Sequence, residues 1–80
     1  MSDATELRRR AGRWRQLAEV TRGEVVLLRR VREIAWRGSS AAAFRDVLGR
    51  RVEELVELAE REDSVADLLD RVAAAVEQAA

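Results

Sequence analysis

The chain contains no Cys, His, Lys, Pro, Tyr or Asn, and its aromatic residues are limited to Trp14, Trp36 and Phe44. Each absence removes a class of function. Without Cys or His there is no disulfide framework, no structural zinc site and no thiol or imidazole catalysis. Chemistry is left to Ser, Thr and carboxylates, a thin kit for an enzyme, so the sequence reads as non-catalytic and cofactor-free. Long apolar runs are missing as well. The run at 25–28 is four residues and the longest, at 72–76, is five, against the ~20 needed to span a membrane. The start, Met1-Ser2-Asp3-Ala4-Thr5-Glu6, is acidic and polar and shows no secretory-signal pattern. These features fit residence in the cytoplasm, or departure by a route that reads no N-terminal signal.

What is present favours helix. Ala (14), Arg (15), Glu (10) and Leu (9) dominate the 80 residues, and all are strong helix formers. The length allows one domain at most. The clearest break is Trp36-Arg37-Gly38-Ser39-Ser40. Gly38 suits the left-handed position that ends many helices, and Ser39 or Ser40 can cap the next one. The reading is an all-α antiparallel two-helix hairpin forming a single domain over 1–80. Helix one runs from about 5 to 37, opened by the capping pattern Asp3-x-x-Glu6; the turn lies at 38–39, and helix two runs from about 40 to 78. The polar stretch Glu60-Arg61-Glu62-Asp63-Ser64 makes a kink near 62–64 the alternative to a continuous second helix.

Helix two carries a heptad-like apolar line through Ala41, Phe44, Leu48, Val52, Leu55, Ala59, Ala66, Leu69, Ala73 and Val76, interrupted once by Glu62. A second line, Leu58, Val65, Leu68 and Val72, widens its face. Helix one is apolar over about half its circumference, from Leu7 and Trp14 to Val31 and Ile34. One antiparallel neighbour covers only about a third of a helix, so the pattern calls for a partner and for closure as a four-helix bundle. Val25, Leu28, Val31, Leu48, Val52, Leu55, Leu58, Val65 and Leu69 are the expected interface. Charge adds an argument for the hairpin: residues 1–40 hold ten Arg against five acids, and residues 41–80 five Arg against ten acids. Folding back sets a basic rod beside an acidic one.

Three constellations invite functional readings. Arg8-Arg9-Arg10-Ala11-Gly12-Arg13-Trp14-Arg15 could bridge phosphates and stack a base, as in an Arg-rich helical nucleic-acid-binding regulator. Trp14 falls on the apolar arc, however, and an acidic helix would lie alongside, so no nucleic acid is expected, nor stable membrane insertion. The acidic trios Glu53, Glu57, Glu60 and Asp63, Asp67, Asp70 share helix faces but read as solvated or Arg-paired. Trp36, at the end of a long helix, either folds back on Ala41 and Phe44 to staple the turn or is left exposed as a contact site.

Trp36-Arg37-Gly38-Ser39-Ser40-Ala41-Ala42-Ala43-Phe44 resembles the signature of the WxG-motif proteins of type VII (ESX) secretion. Those are small, Cys-poor helical hairpins with the WxG turn near mid-chain, followed by a small residue and then Phe on the next helix. The all-Arg usage also resembles proteins of GC-rich actinobacteria. The resemblance implies a secreted substrate or co-secreted partner, cytoplasmic before export, that pairs with a second hairpin and is read by a secretion ATPase. Trp36 and Gly38 match the family's half of a composite export signal, and Ala41 and Phe44 match the positions that pack the turn. Two departures stand out: the chain is shorter than the usual member, and, lacking Tyr, it has no C-terminal Y-x-x-x-D/E signal. A different hairpin carrying that signal is therefore the expected partner, with a homodimer as the alternative. A targeting chaperone for a larger exported toxin shares the same features.

Overall fold

The computed structural model describes residues 2–38 and 42–80. Two helices account for nearly all of it: α1, Asp3–Arg37, and α2, Ala42–Ala79. They lie side by side as an all-α hairpin, a rod with extents of 63 × 15 × 10 Å. Its radius of gyration, 18.1 Å, compares with about 12 Å for a compact domain of this length. No helix is long and apolar enough to cross a membrane.

α1 begins earlier than the capping pattern at Asp3 suggests. Ser2 is the N-cap: its hydroxyl oxygen accepts from the Thr5 backbone N–H at 3.1 Å, while Asp3 and Glu6 sit in the first turn, where the helix dipole favours acids. Ser2→Ala is expected to lower stability by about 1 kcal/mol, measured as a shift in the urea midpoint. α1 ends at Gly38, whose N–H donates to the Ile34 carbonyl at 3.1 Å. Gly38 is extended, with φ −90° and ψ −170°, not left-handed. The expected caps Ser39 and Ser40, and Ala41 with its expected packing of the turn, lie outside the described residues. α2 starts at Ala42 and runs without a break through 62–64. No Pro or Gly interrupts that stretch, and Ser64 turns its hydroxyl back onto the Glu60 carbonyl at 2.9 Å, which keeps it compatible with helix.

The seam between the rods is built largely from alanine. Ala4, Ala11, Ala18 and Ala35 on α1, and Ala59, Ala66 and Ala73 on α2, are all buried. Residues 4, 11, 18 and 25 are spaced by seven, as are 7, 14, 21, 28 and 35. On α2 the corresponding lines are 52, 59, 66 and 73, and 48, 55, 62 and 69. This is an antiparallel coiled-coil seam. Larger side chains gather only nearer the turn, where Val25, Val52 and Leu55 form a small cluster with Leu28 and Val56 against it. Alanine lets the backbones approach closely but removes little apolar area from water.

The seam contains one polar rung. Thr21 and Glu62 are both buried, Glu62 at 3% exposure, and the Thr21 hydroxyl donates to Glu62 Oε1 at 2.6 Å. The same hydroxyl lies 3.1 Å from the Leu17 carbonyl. It has one proton, and the shorter contact is the better claim on it. Glu62, the interruption in the second helix's apolar line, is thus matched by a polar residue at the same level of the first.

Candidate functional site

The two flanks of the seam differ in character. On one, Arg8, Arg15 and Arg22, seven residues apart on α1, reach across to acids on α2. Arg8 pairs with Glu77, Arg15 with Asp70 at 2.6 Å and Asp67 at 3.0 Å, and Arg22 with Asp63. Hydrogen bonds to Glu77, Asp70 and Asp63, respectively, hold these guanidiniums above the ordinary Arg pKa. A raised Arg pKa contributes stability below its unfolded value and loses it only at strongly alkaline pH, so the ladder stays charged throughout the working range. Being solvent-exposed, each rung contributes little energy but helps set register.

The next rung is missing, because Val56 stands where the ladder would need an acid. Arg22, Val25, Val26, Arg29, Val56 and Ala59 line a depression there. The two cations that the nucleic-acid reading shares with this ladder, Arg8 and Arg15, are bound to acids, and Arg9 and Arg10 pair with Glu6. Of the five, Arg13 has no partner among the described residues. The basic stretch is therefore largely internal to the hairpin. Along the first helix Glu6–Arg10 and Glu33–Arg37 pair at i,i+4, whereas Asp67, four residues before Arg71, turns to Arg15 across the seam. No group of carboxylates among the described residues is arranged to hold a metal.

The opposite flank is apolar. Spacing by seven brings Leu17 and Val31 of α1 beside Leu58, Val65 and Val72 of α2, with Val20, Leu27, Ile34 and Leu68 just outside them. Leu17, Val20, Leu27, Val31, Ile34, Leu58, Leu68 and Val72 are all exposed. Much of the interface expected from sequence is elsewhere: Val25, Leu48, Val52 and Leu55 are buried in the hairpin's own seam, and Leu28 and Leu69 are half-buried along it. The hairpin consumes its best heptad residues internally. Only Val31, Leu58 and Val65 remain on the outward flank.

At the turn end, Trp36 is 67% exposed. Its ring carries the Arg45 guanidinium from α2, 4.8 Å from the centroid, a contact worth about 0.5–1 kcal/mol at such a site. The sequence pattern gave no hint of this pairing beyond the equal distance of both residues from the turn. Phe44, expected to pack the turn, is half exposed. Trp36 shares a shallow depression with Arg29, Arg32, Glu33 and Arg37. A Cβ added at Gly38 would meet the Ile34 carbonyl oxygen at 3.6 Å, an ordinary contact. With its negative φ, this glycine is not demanded by the local backbone. Gly38→Ala is therefore expected to leave thermal unfolding within about 1 °C of the parent, checked by circular dichroism.

Comparison of the chain with protein-family models, curated proteins and solved structures finds no match.

Proposed function

We propose that this chain is a non-catalytic type VII secretion hairpin of the WxG kind: a substrate or co-secreted partner that pairs with a second hairpin and presents Trp36 and Gly38 for recognition. The observation that carries the reading is the exposure of Trp36. A large aromatic side chain left in water at the end of a 35-residue helix does little for the hairpin's own stability, and such residues are enriched at binding hot spots. The tolerance of position 38 for a Cβ supports a role for Gly38 outside the local backbone. The unpartnered flank from Leu17 to Val72 supports pairing, since an alanine seam buries little area and a second hairpin would cover the remainder. A different hairpin is the favoured partner because this chain has no Tyr for the family's C-terminal signal.

The test is secretion of Trp36→Ala from a strain carrying a type VII system, alongside its unfolding curve. Export should fall at least tenfold while stability changes by no more than about 1 kcal/mol, the cation–π contact with Arg45. Normal export of the folded variant removes Trp36 from the mechanism. Loss of export only together with loss of helix returns it to a structural role. Pairing is tested separately by sedimentation with Leu58→Glu and Val72→Glu, which should leave the hairpin folded and abolish association.

A further inference from the structure

The charge of the rod is divided by side. The lines spaced by seven that make up the ladder flank run through Arg8 and Glu19 on α1 and through Asp46 and Asp63 on α2. They hold four Arg against nine acids, net −5. The apolar flank, on the lines of Leu17 and Val20 and of Leu58 and Leu68, holds four charges of each sign. Along the outer edges, opposite the seam, run residues 9, 16, 23, 30 and 37 of α1 and 50, 57, 64, 71 and 78 of α2. The edges carry five Arg and one acid, Glu57. Some of these cations have acids at hand: Glu6 takes Arg9 and Arg10, Glu54 takes Arg51, and Glu33 takes Arg37. Arg13, Arg30, Arg50, Arg61 and Arg71 are exposed and make no ion pair or side-chain hydrogen bond among the described residues. Asp3, Glu24 and Glu57 make none either.

Four of the unpaired arginines bracket the apolar flank. The register that joins Thr21 to Glu62 sets Arg13 nearly level with Arg71, and Arg30 within about three residues of the level of Arg50. At ~1.5 Å per residue the two pairs stand about 25–30 Å apart along the axis. Between them lie Leu17, Val20, Leu27, Leu58, Val65 and Leu68, most of them exposed. Glu24 sits midway, on the line between Leu17 and Val31, beside a depression that it shares with Leu27, Leu28, Arg51 and Leu55.

We propose that this flank is covered by a hairpin of a different chain, whose own apolar face is bracketed by carboxylates that meet Arg13, Arg71, Arg30 and Arg50. The inference rests on the pairing half of the proposed function and is independent of export. An apolar strip this long and two helices wide is matched by a pair of helices better than by a loop. The bracket decides which pair. A two-fold axis through the strip, along the rod or across it, carries arginine corners onto arginine corners, so a second copy meets like charge at both ends. A chain with acids at those corners is attracted there instead, and the four contacts set its register. A membrane is a poorer fit than a protein. It would draw Glu24 into the acyl boundary without a partner, whereas a protein face can set one cation against it.

The probe is a copy of the full chain carrying Arg13→Glu, Arg30→Glu, Arg50→Glu and Arg71→Glu, which keeps the apolar flank and inverts its corners. Sedimentation of the parent mixed with this copy should show a 1:1 complex at least about tenfold tighter than the parent forms with itself. The complex should weaken at least about tenfold in 0.5 M NaCl, and Leu58→Glu in the parent should abolish it. A second copy with the same four arginines changed to Gln should associate with itself at least about tenfold more tightly than the parent does, at unchanged helicity. Self-association of the parent as tight as the mixture makes a second copy the cover and overturns the proposal. A mixed complex indifferent to salt also overturns it. Binding of the parent to vesicles with about 30% phosphatidylserine, without a mixed complex, overturns it in favour of a membrane. If the Glu copy loses its helix, the Gln copy decides, and self-association no tighter than the parent's overturns the proposal. No association in any combination removes the pairing itself. Export enters none of these measurements, so their failure leaves the role of Trp36 untouched, and failure of the Trp36 test leaves them untouched.

Discussion

Ala66→Leu is expected to unfold the hairpin or lower its stability by about 1–3 kcal/mol or more. Ala66 is 0% exposed at mid-seam, and the register that joins Thr21 to Glu62 brings it to the level of Ala18, which is equally buried. Three added carbons have no void to enter. They can be accepted only by spreading the helices, which would weaken the neighbouring alanine contacts as well. Ala74→Leu, eight residues further along α2 and exposed, adds the same carbons outside the seam and should change stability by less than about 0.5 kcal/mol. Urea unfolding followed by circular dichroism separates the two. A stable, cooperative Ala66→Leu protein would mean that the rods are not closely packed at their centre.

The second large effect concerns the polar rung, where the direction of change depends on which partner is removed. Thr21→Val keeps the side-chain shape but withdraws the proton that reaches Glu62 Oε1 at 2.6 Å, leaving a buried polar group unpaired at a cost of about 1–3 kcal/mol. Glu62→Leu removes the group that needs the partner, and Thr21 retains the Leu17 carbonyl within reach at 3.1 Å. That variant should be as stable as the parent or more so, and Thr21→Val with Glu62→Leu should recover what Thr21→Val alone loses. A double-mutant cycle by denaturant unfolding reads the coupling directly. Additive losses would show that the 2.6 Å contact carries no energy. A polar rung of this kind also penalises sliding: a shift by one heptad would set Glu62 against Trp14 or Leu28 instead of Thr21.

Much of this was legible in the chain itself. Strong helix formers, the absence of Pro and a single mid-chain Gly-Ser-Ser break leave a two-helix hairpin as the economical solution, and the charge asymmetry between the halves foretells the ladder of Arg8, Arg15 and Arg22. The polar rung was also available. Once the chain folds back near residue 40, positions whose numbers sum to about 83 come level, and Thr21 and Glu62 do so. The terminal details were less legible because caps compete locally: Ser2 and Asp3 both suit an N-cap, and one hydrogen bond to Thr5 decides between them. Gly38 looked like a left-handed terminator, yet the chain leaves α1 through extended backbone.

Which apolar residues face inward required the tertiary structure. Periodicity shows that a helix has an apolar face, but a face wider than one neighbour can cover does not say which part of it that neighbour takes. Sequence favoured the large residues, Leu and Val, as the surface for a second hairpin. The folded chain instead closes on alanine because small side chains permit the closest approach of two backbones, and it takes Leu48, Val52 and Leu55 into the same seam. The residues left outside are Leu17, Leu58, Val72 and their neighbours. The sequence determined that two helices form and that they carry surplus apolar surface. Only packing, through side-chain volume and the register imposed by the ladder and the polar rung, decided which surface is surplus and left Trp36 in water at the turn end.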